Sequence, residues 1–97
     1  MKIKQIEDMG KMRYEPGDIV RIKSIDWYNE HKDKNGVVAC GYHNFTEEMS
    51  KFCGQTMIIR NITNLGTIYM SGHSHYWTDE MIESLVQRNG QIYPYKI

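Results

Sequence analysis

QTMIIRNITNLGTIYMSG, residues 55–72, contains the clearest strand pattern of this chain. Its first part, QTMIIRNI (55–62), is strongly apolar, and TIYMSG (67–72) is a second segment of strand-forming residues. The residues between them, TNLG (63–66), are typical of a tight turn. Two such segments joined by a short turn predict a central β-hairpin.

A first strand is predicted upstream of this hairpin. The tripeptide PGD (16–18) has turn chemistry, because proline presets φ and glycine tolerates a positive φ. Alternation in the following residues, IVRIK (19–23), places Val20 and Ile22 on one face. This pattern predicts a half-buried β-strand.

Two further elements are predicted downstream of the hairpin. HSHYWT (73–78) indicates a short strand, TDE (78–80) caps a single helical turn, and MIESLV (81–86) indicates a strand or a short helix. The dipeptide NG (89–90) is a turn signal, so residues 87–97 form either an extra hairpin or a loose tail.

A long, turn-rich excursion, defined here as residues 25–53, separates the first strand from the hairpin. DWYNEHKDKNG (26–36) predicts a short helical turn capped by Asp26, and VVAC (37–40) predicts a short strand or an extended arm. Near its end, TEEMSKFCG (46–54) predicts a helix of about two turns. Thr46 would be its N-cap, and its apolar face would consist of Met49, Phe52 and Cys53.

These short strands and helical turns predict a mainly β domain folded as a small barrel. A parallel α/β fold needs crossover connections of about a dozen residues, usually helical, and no convincing one is predicted here. We expect residues 14–86 to form the barrel and residues 1–13 to form an N-terminal extension.

The order of these elements resembles that of an SH3-like β-barrel with one or two short helical turns inserted after the first strand. The strings WYNEHKDKNG, EMSKFCG and WTDEM resemble small bacterial and phage proteins that are similar to the repeat modules of the Mind bomb family of ubiquitin ligases. The resemblance covers residues 14–86. It implies the barrel fold and, from the ubiquitin-ligase modules, the binding of peptide segments of partner proteins.

Composition limits the class of protein. Ninety-seven residues suit one domain, and twelve basic against twelve acidic residues lack the basic excess of a general nucleic-acid binder. No stretch approaches about 18 consecutive apolar residues, and the N-terminus lacks the apolar core of a signal peptide. We expect a cytoplasmic protein without membrane association, in which Cys40 and Cys53 are thiols.

Neither metal binding nor catalysis is indicated by a complete motif. Cys40, His43 and Cys53, with His31 as a fourth ligand, lack the two closely spaced pairs typical of zinc sites. Zinc and a disulfide stay open as alternatives, but the sequence favours Cys53 as a small buried hydrophobe and Cys40 as a strand end. No nucleophile elbow or phosphate loop occurs, so we expect no enzyme activity and no cofactor.

The aromatic residues are the strongest indication of function, because aromatic side chains are enriched at binding surfaces. Trp77 and Phe52 are expected in the core, whereas the excursion contributes aromatic side chains to a surface groove. An alternative is that Trp27 only closes the end of the barrel. The candidate binding residues are Trp27, Tyr28, Tyr42, His43, His73 and His75.

Three functions are considered. The first is a non-catalytic module that binds an unidentified protein or peptide in a groove between the excursion and the loop 73–79. The second is binding of a small ligand or nucleotide, with polar contacts from the three histidines above and from Arg21. The third is nucleic-acid binding, which small barrels achieve with aromatic side chains beside cations.

Overall fold

The computed structural model describes residues 14–92, and these residues form mainly β-structure, as predicted. One α-helix and two 3₁₀ helices interrupt the strands of this region. In chain order the elements are β1 (Ile19–Ile22), α1 (Ile25–His31), β2 (Val38–Cys40), β3 (His43–Phe45), a first 3₁₀ helix (Glu48–Phe52), β4 (Thr56–Ile62), β5 (Ile68–Met70), β6 (Tyr76–Trp77), a second 3₁₀ helix (Asp79–Met81), β7 (Ile82–Arg88) and β8 (Gln91–Ile92).

Six strands form one antiparallel sheet in the order β6-β5-β4-β1-β7-β8, and β2 and β3 pair separately. The predicted hairpin is present as β4 and β5. Strand pairing within the described region ends at β6 on one side and at β8 on the other. The sheet is therefore open in its hydrogen bonding, and the closed SH3-like barrel stays a prediction.

Strand β1 lies at the centre of the sheet, between β4 and β7. Val20 and Ile22 are fully buried while Arg21 is exposed, which confirms the alternation predicted for this strand. Strand β4 alternates in the same way, with a buried Ile59 beside an exposed Ile58. The largest fully buried side chains on the other elements are Trp77, Phe45, Ile68, Met70 and Met81.

A buried ion pair joins the turn before β1 to the end of β7. Asp18 is 1% exposed, and its two carboxylate oxygens accept hydrogen bonds from Nε and Nη2 of Arg88 at 2.9 and 2.8 Å. The Glu15 backbone N–H donates to the same carboxylate at 2.8 Å. Both carboxylate oxygens accept hydrogen bonds, two of them from a charged group, and these bonds offset the cost of burying the Asp18 charge.

The excursion begins with α1, whose cap differs from the prediction. The Ser24 hydroxyl accepts from the Trp27 backbone N–H at 3.0 Å and caps the helix, while Asp26 lies in its first turn. Tyr28 is buried, and its hydroxyl donates to the Gly36 carbonyl at 2.7 Å. Gly36 has a φ of +81°, and a Cβ there would lie 3.1 Å from the Tyr28 hydroxyl, so the closure of this loop requires glycine.

The helix predicted near the end of the excursion is shorter than expected. It is a five-residue 3₁₀ helix in which Met49 is buried but Phe52 and Cys53 are only half-buried. A 3₁₀ helix has three residues per turn, so Met49 and Phe52 still share a face while Cys53 is displaced from it. Phe52 and Cys53 both pack against the edge of the core. Cys40, not Cys53, is the fully buried thiol.

Of the two alternatives for the residues after 86, the described region has the hairpin as far as residue 92. Strand β7 continues past the predicted boundary at residue 86 and pairs with β8. The turn between them has positive φ at Asn89 and Gly90, as a two-residue hairpin turn requires. Residues 93–97 and the predicted extension 1–13 lie outside the described residues. Within residues 14–92 no helix is long and apolar enough to cross a membrane.

Replacement of Asp18 by alanine should lower the free energy of unfolding by about 3 kcal/mol, because it leaves the Arg88 guanidinium without its buried partner. Urea denaturation followed by tryptophan fluorescence measures this change. Glu15→Gln is the control, since Glu15 is exposed and lies 3.9 Å from Arg88. It should cost less than about 1 kcal/mol. Equal losses in the two variants would contradict the assigned role of Asp18.

Candidate functional site

A groove of about 410 Å³ lies between the excursion and the segment formed by the second 3₁₀ helix and the start of β7. We call it the excursion groove. Four of its lining side chains are buried and form an apolar floor. These are Tyr14, Val38, Cys40 and Ile82. The other lining residues are Trp27 and Ala39 on the excursion side and the charged or titratable residues Lys23, His31, Asp79, Glu80 and Glu83.

Trp27 forms an aromatic wall of the excursion groove. Its ring is half-buried and meets the Phe45 ring edge-on, with 5.2 Å between the ring centroids. The centroid of the His31 ring lies 5.8 Å from that of the Trp27 ring, and His31 Nδ1 donates to the Trp27 carbonyl at 2.8 Å. Trp27 therefore packs against the core and also lines the groove, and its role in binding stays a prediction.

One hydrogen bond connects the two sides of the groove. The Thr78 hydroxyl donates to the Cys40 carbonyl at 3.0 Å, and both residues are buried. Thr78 precedes the second 3₁₀ helix but makes no capping hydrogen bond with its side chain, contrary to the expected capping role. Its hydroxyl instead fixes β2 against the segment that carries Asp79 and Glu80.

The rim of the groove contains more negative than positive charge. Three carboxylates, from Asp79, Glu80 and Glu83, face one lysine and one histidine. Lys23 Nζ lies 3.9 Å from Glu83 Oε1, so the lysine is already paired with one of the three.

The pKa of the Cys40 thiol, which lies in the groove floor, depends on its burial and on these charges. Burial, with a smaller contribution from the nearby Glu80 carboxylate, raises the pKa of Cys40 to about 11, against smaller opposing effects of the Phe45 backbone and Lys23. Burial also raises the pKa of Cys53. Since the thiolate is the nucleophilic form, neither cysteine is activated for chemistry.

Of the candidate binding residues, only Trp27 lines the excursion groove. Tyr28 lies in the core, and Tyr42 is 72% exposed on the turn between β2 and β3. His43 Nε2 is hydrogen-bonded to Thr67 Oγ1 at 2.8 Å, and its ring lies 5.1 Å from the Tyr76 ring.

His73 and His75 pack together on a different part of the surface. Their rings lie 4.9 and 5.9 Å from the Phe52 ring, and His75 Nε2 lies 3.7 Å from Glu48 Oε1. The predicted residues therefore divide among the groove, the core and two surface clusters. The predicted groove faced the loop 73–79, whereas the observed one faces residues 79–83.

Sequence reasoning considered Asp79 and Glu80 only as helix-capping residues and did not connect them with Trp27. No local signal could have done so, because about fifty positions of chain separate them. No group of three or more His, Cys, Asp or Glu residues suited to a metal occurs between residues 14 and 92, and Cys40 and Cys53 are free thiols.

No family model matches the chain, and no curated protein or solved structure shows significant similarity to it. The resemblance to SH3-like proteins and to Mind bomb-type modules stays a prediction. Function is therefore inferred from the excursion groove itself.

The two thiols should differ in reactivity toward iodoacetamide. At pH 8 we expect the half-buried Cys53 to be alkylated first, while Cys40 reacts slowly because it is buried and its pKa is about 11. The Cys40 rate should rise as the pH approaches 11. Mass spectrometry of proteolytic peptides measures both rates, and Cys53→Ser isolates Cys40. A Cys40 rate equal to that in urea would show that the groove floor is open to solvent.

Proposed function

We propose that this chain is a non-catalytic binding module that recognises a segment of another protein in the excursion groove. The observation that carries the proposal is the combination of an apolar floor, an aromatic wall and a charged rim. Specific protein interfaces share this arrangement of an apolar centre surrounded by polar groups. Trp27 is the anchor, because tryptophan is among the residues most enriched at interface hot spots.

The non-catalytic part of the proposal is supported by the chemistry of the groove. Its only thiol, Cys40, is buried and has a pKa raised to about 11, so it is a poor nucleophile near neutral pH. The groove also has three carboxylates on its rim, which would repel the phosphates of a nucleotide. A protein segment therefore fits the groove better than the small ligand or nucleotide considered as an alternative.

The SH3-like architecture and an origin among bacterial or phage proteins of the cytoplasm are part of the same proposal. The order of elements supports the architecture alone: a long excursion follows β1, and a 3₁₀ helix separates β6 from β7. This is the chain order on which the sequence resemblance was based. In the sheet, β1 lies between β4 and β7.

Nucleic-acid binding is a second candidate because of an aromatic strip outside the groove. The Tyr69 and Tyr76 rings lie 5.6 Å apart, His43 adjoins Tyr76, and the Arg60 guanidinium lies 5.5 Å from the Tyr69 ring. Aromatic side chains beside a cation can stack on single-stranded bases. A gel shift that is sensitive to salt and lost in Tyr69→Ala and Tyr76→Ala would favour this candidate over the first.

Peptides selected from a random library by the wild-type chain should bind Trp27→Ala at least about tenfold more weakly, because the aromatic anchor is lost. Affinities are measured by fluorescence anisotropy. Tyr42→Ala is the matched control: this aromatic residue is exposed outside the groove lining and should keep wild-type affinity.

Because Trp27 also contacts Phe45, a second variant tests the groove without disturbing the core. Ala39 is exposed and lines the groove, so Ala39→Trp should fill it and weaken binding to a similar extent. Wild-type affinity in both Ala39→Trp and Trp27→Ala would refute the groove as the binding site.

A further inference from the structure

We infer that the segment bound in the excursion groove inserts a lysine or arginine side chain between Trp27 and the carboxylates of Asp79 and Glu80. This inference rests on the proposed function and specifies the chemistry of its partner. Two features of the groove support it: its charge balance, and the apolar and aromatic character of the residues that line it.

The charge balance leaves two carboxylates available to a partner. Among residues 14–92, no cationic side chain lies within ion-pair distance of Asp79 or Glu80, whereas Glu83 is paired with Lys23 at 3.9 Å. Asp79 is half-buried and Glu80 is exposed, so both can be reached from the groove that they line. A cation entering there would meet two negative charges.

The negative charge of Glu80 also affects the floor of the groove. Glu80 raises the pKa of the buried Cys40 thiol, and this effect exceeds the lowering caused by Lys23. The Glu80 carboxylate therefore lies near enough to act on the buried floor, where low polarity strengthens electrostatic interactions. An acidic or phosphorylated segment would be repelled, whereas a cationic side chain would be attracted.

The lining of the groove matches both the aliphatic stem and the charged head of a basic side chain. Lysine and arginine combine an aliphatic stem with a charged head, and they bury the stem along apolar surface while the head stays near water. Val38 and Ile82 in the floor offer that apolar surface. The half-buried ring of Trp27 offers the aromatic face that attracts cations most strongly.

The groove is also held in place before a partner arrives. The Thr78–Cys40 hydrogen bond fixes the carboxylate side against β2, and the Ser24 cap fixes the start of the helix that carries Trp27. A preformed site avoids the entropic cost of ordering loops on binding.

The experiment starts from a random peptide library selected on the full chain. Selected sequences should be enriched in lysine or arginine, and the strongest peptide is then resynthesised with norleucine in place of each lysine, or norvaline in place of each arginine, in turn. Glu80→Gln should weaken binding of the cationic peptide about threefold, and Asp79→Asn with Glu80→Gln about tenfold. The neutral peptide should bind all three forms equally, which makes a double-mutant cycle.

Glu30→Gln is the control, because Glu30 is an exposed carboxylate on the same helix as Trp27 but outside the groove lining. It should leave the affinity unchanged, so a loss in Glu80→Gln alone separates a local contact from a change in net charge. Raising the salt concentration should reduce the coupling measured by the cycle. Equal unfolding midpoints in urea show that the variants are folded.

The outcomes distinguish this inference from the proposed function. Selected peptides that need Trp27 but show no basic enrichment, or no coupling to Asp79 and Glu80, overturn the inference and leave the groove as a binding site. Peptides that bind Trp27→Ala and Ala39→Trp as well as they bind the wild-type chain overturn both. Recovery of no binding peptide also counts against both.

Discussion

The ion pair between the buried Asp18 carboxylate and the half-buried Arg88 guanidinium fixes the centre of the sheet. It joins residues separated by 70 positions in the chain, at the place where the central strand begins and β7 ends. A buried carboxylate is tolerated only when its hydrogen bonds are satisfied, so β1 and β7 are stabilised in the one arrangement that brings the guanidinium to Asp18. Strand pairing then extends from β1 to β4 on the other side.

The excursion groove follows from this arrangement. Lys23 comes directly after β1, while Ile82 and Glu83 begin β7, so the pairing of these two strands places one side of the groove. The excursion supplies the other side, and its own contacts hold it in shape. Of these, the bond from Tyr28 to the Gly36 carbonyl closes the loop and the bond from Thr78 to Cys40 docks it on the sheet.

The features of the groove favour the proposed binding role over a catalytic one. Its thiol is protonated and buried, its carboxylates lie on the rim, and its aromatic ring is anchored by the core. The remaining aromatic and histidine side chains are grouped elsewhere, with His73 and His75 around Phe52 and His43 beside Tyr76. These histidines, which the sequence singled out as candidate binding residues, are engaged in packing contacts outside the groove.

Local sequence patterns were enough to predict the mainly β character, the alternation of β1, the β4–β5 hairpin and the turn at 89–90, because each depends on neighbours within a few positions. They could not predict that Cys40 is buried more deeply than Cys53, that Ser24 caps α1, or that Tyr28 belongs to the core. They also could not predict that Trp27 lines the same groove as Asp79 and Glu80. These features follow from packing between segments that are distant in the chain, which sets burial and proximity and which local patterns do not encode.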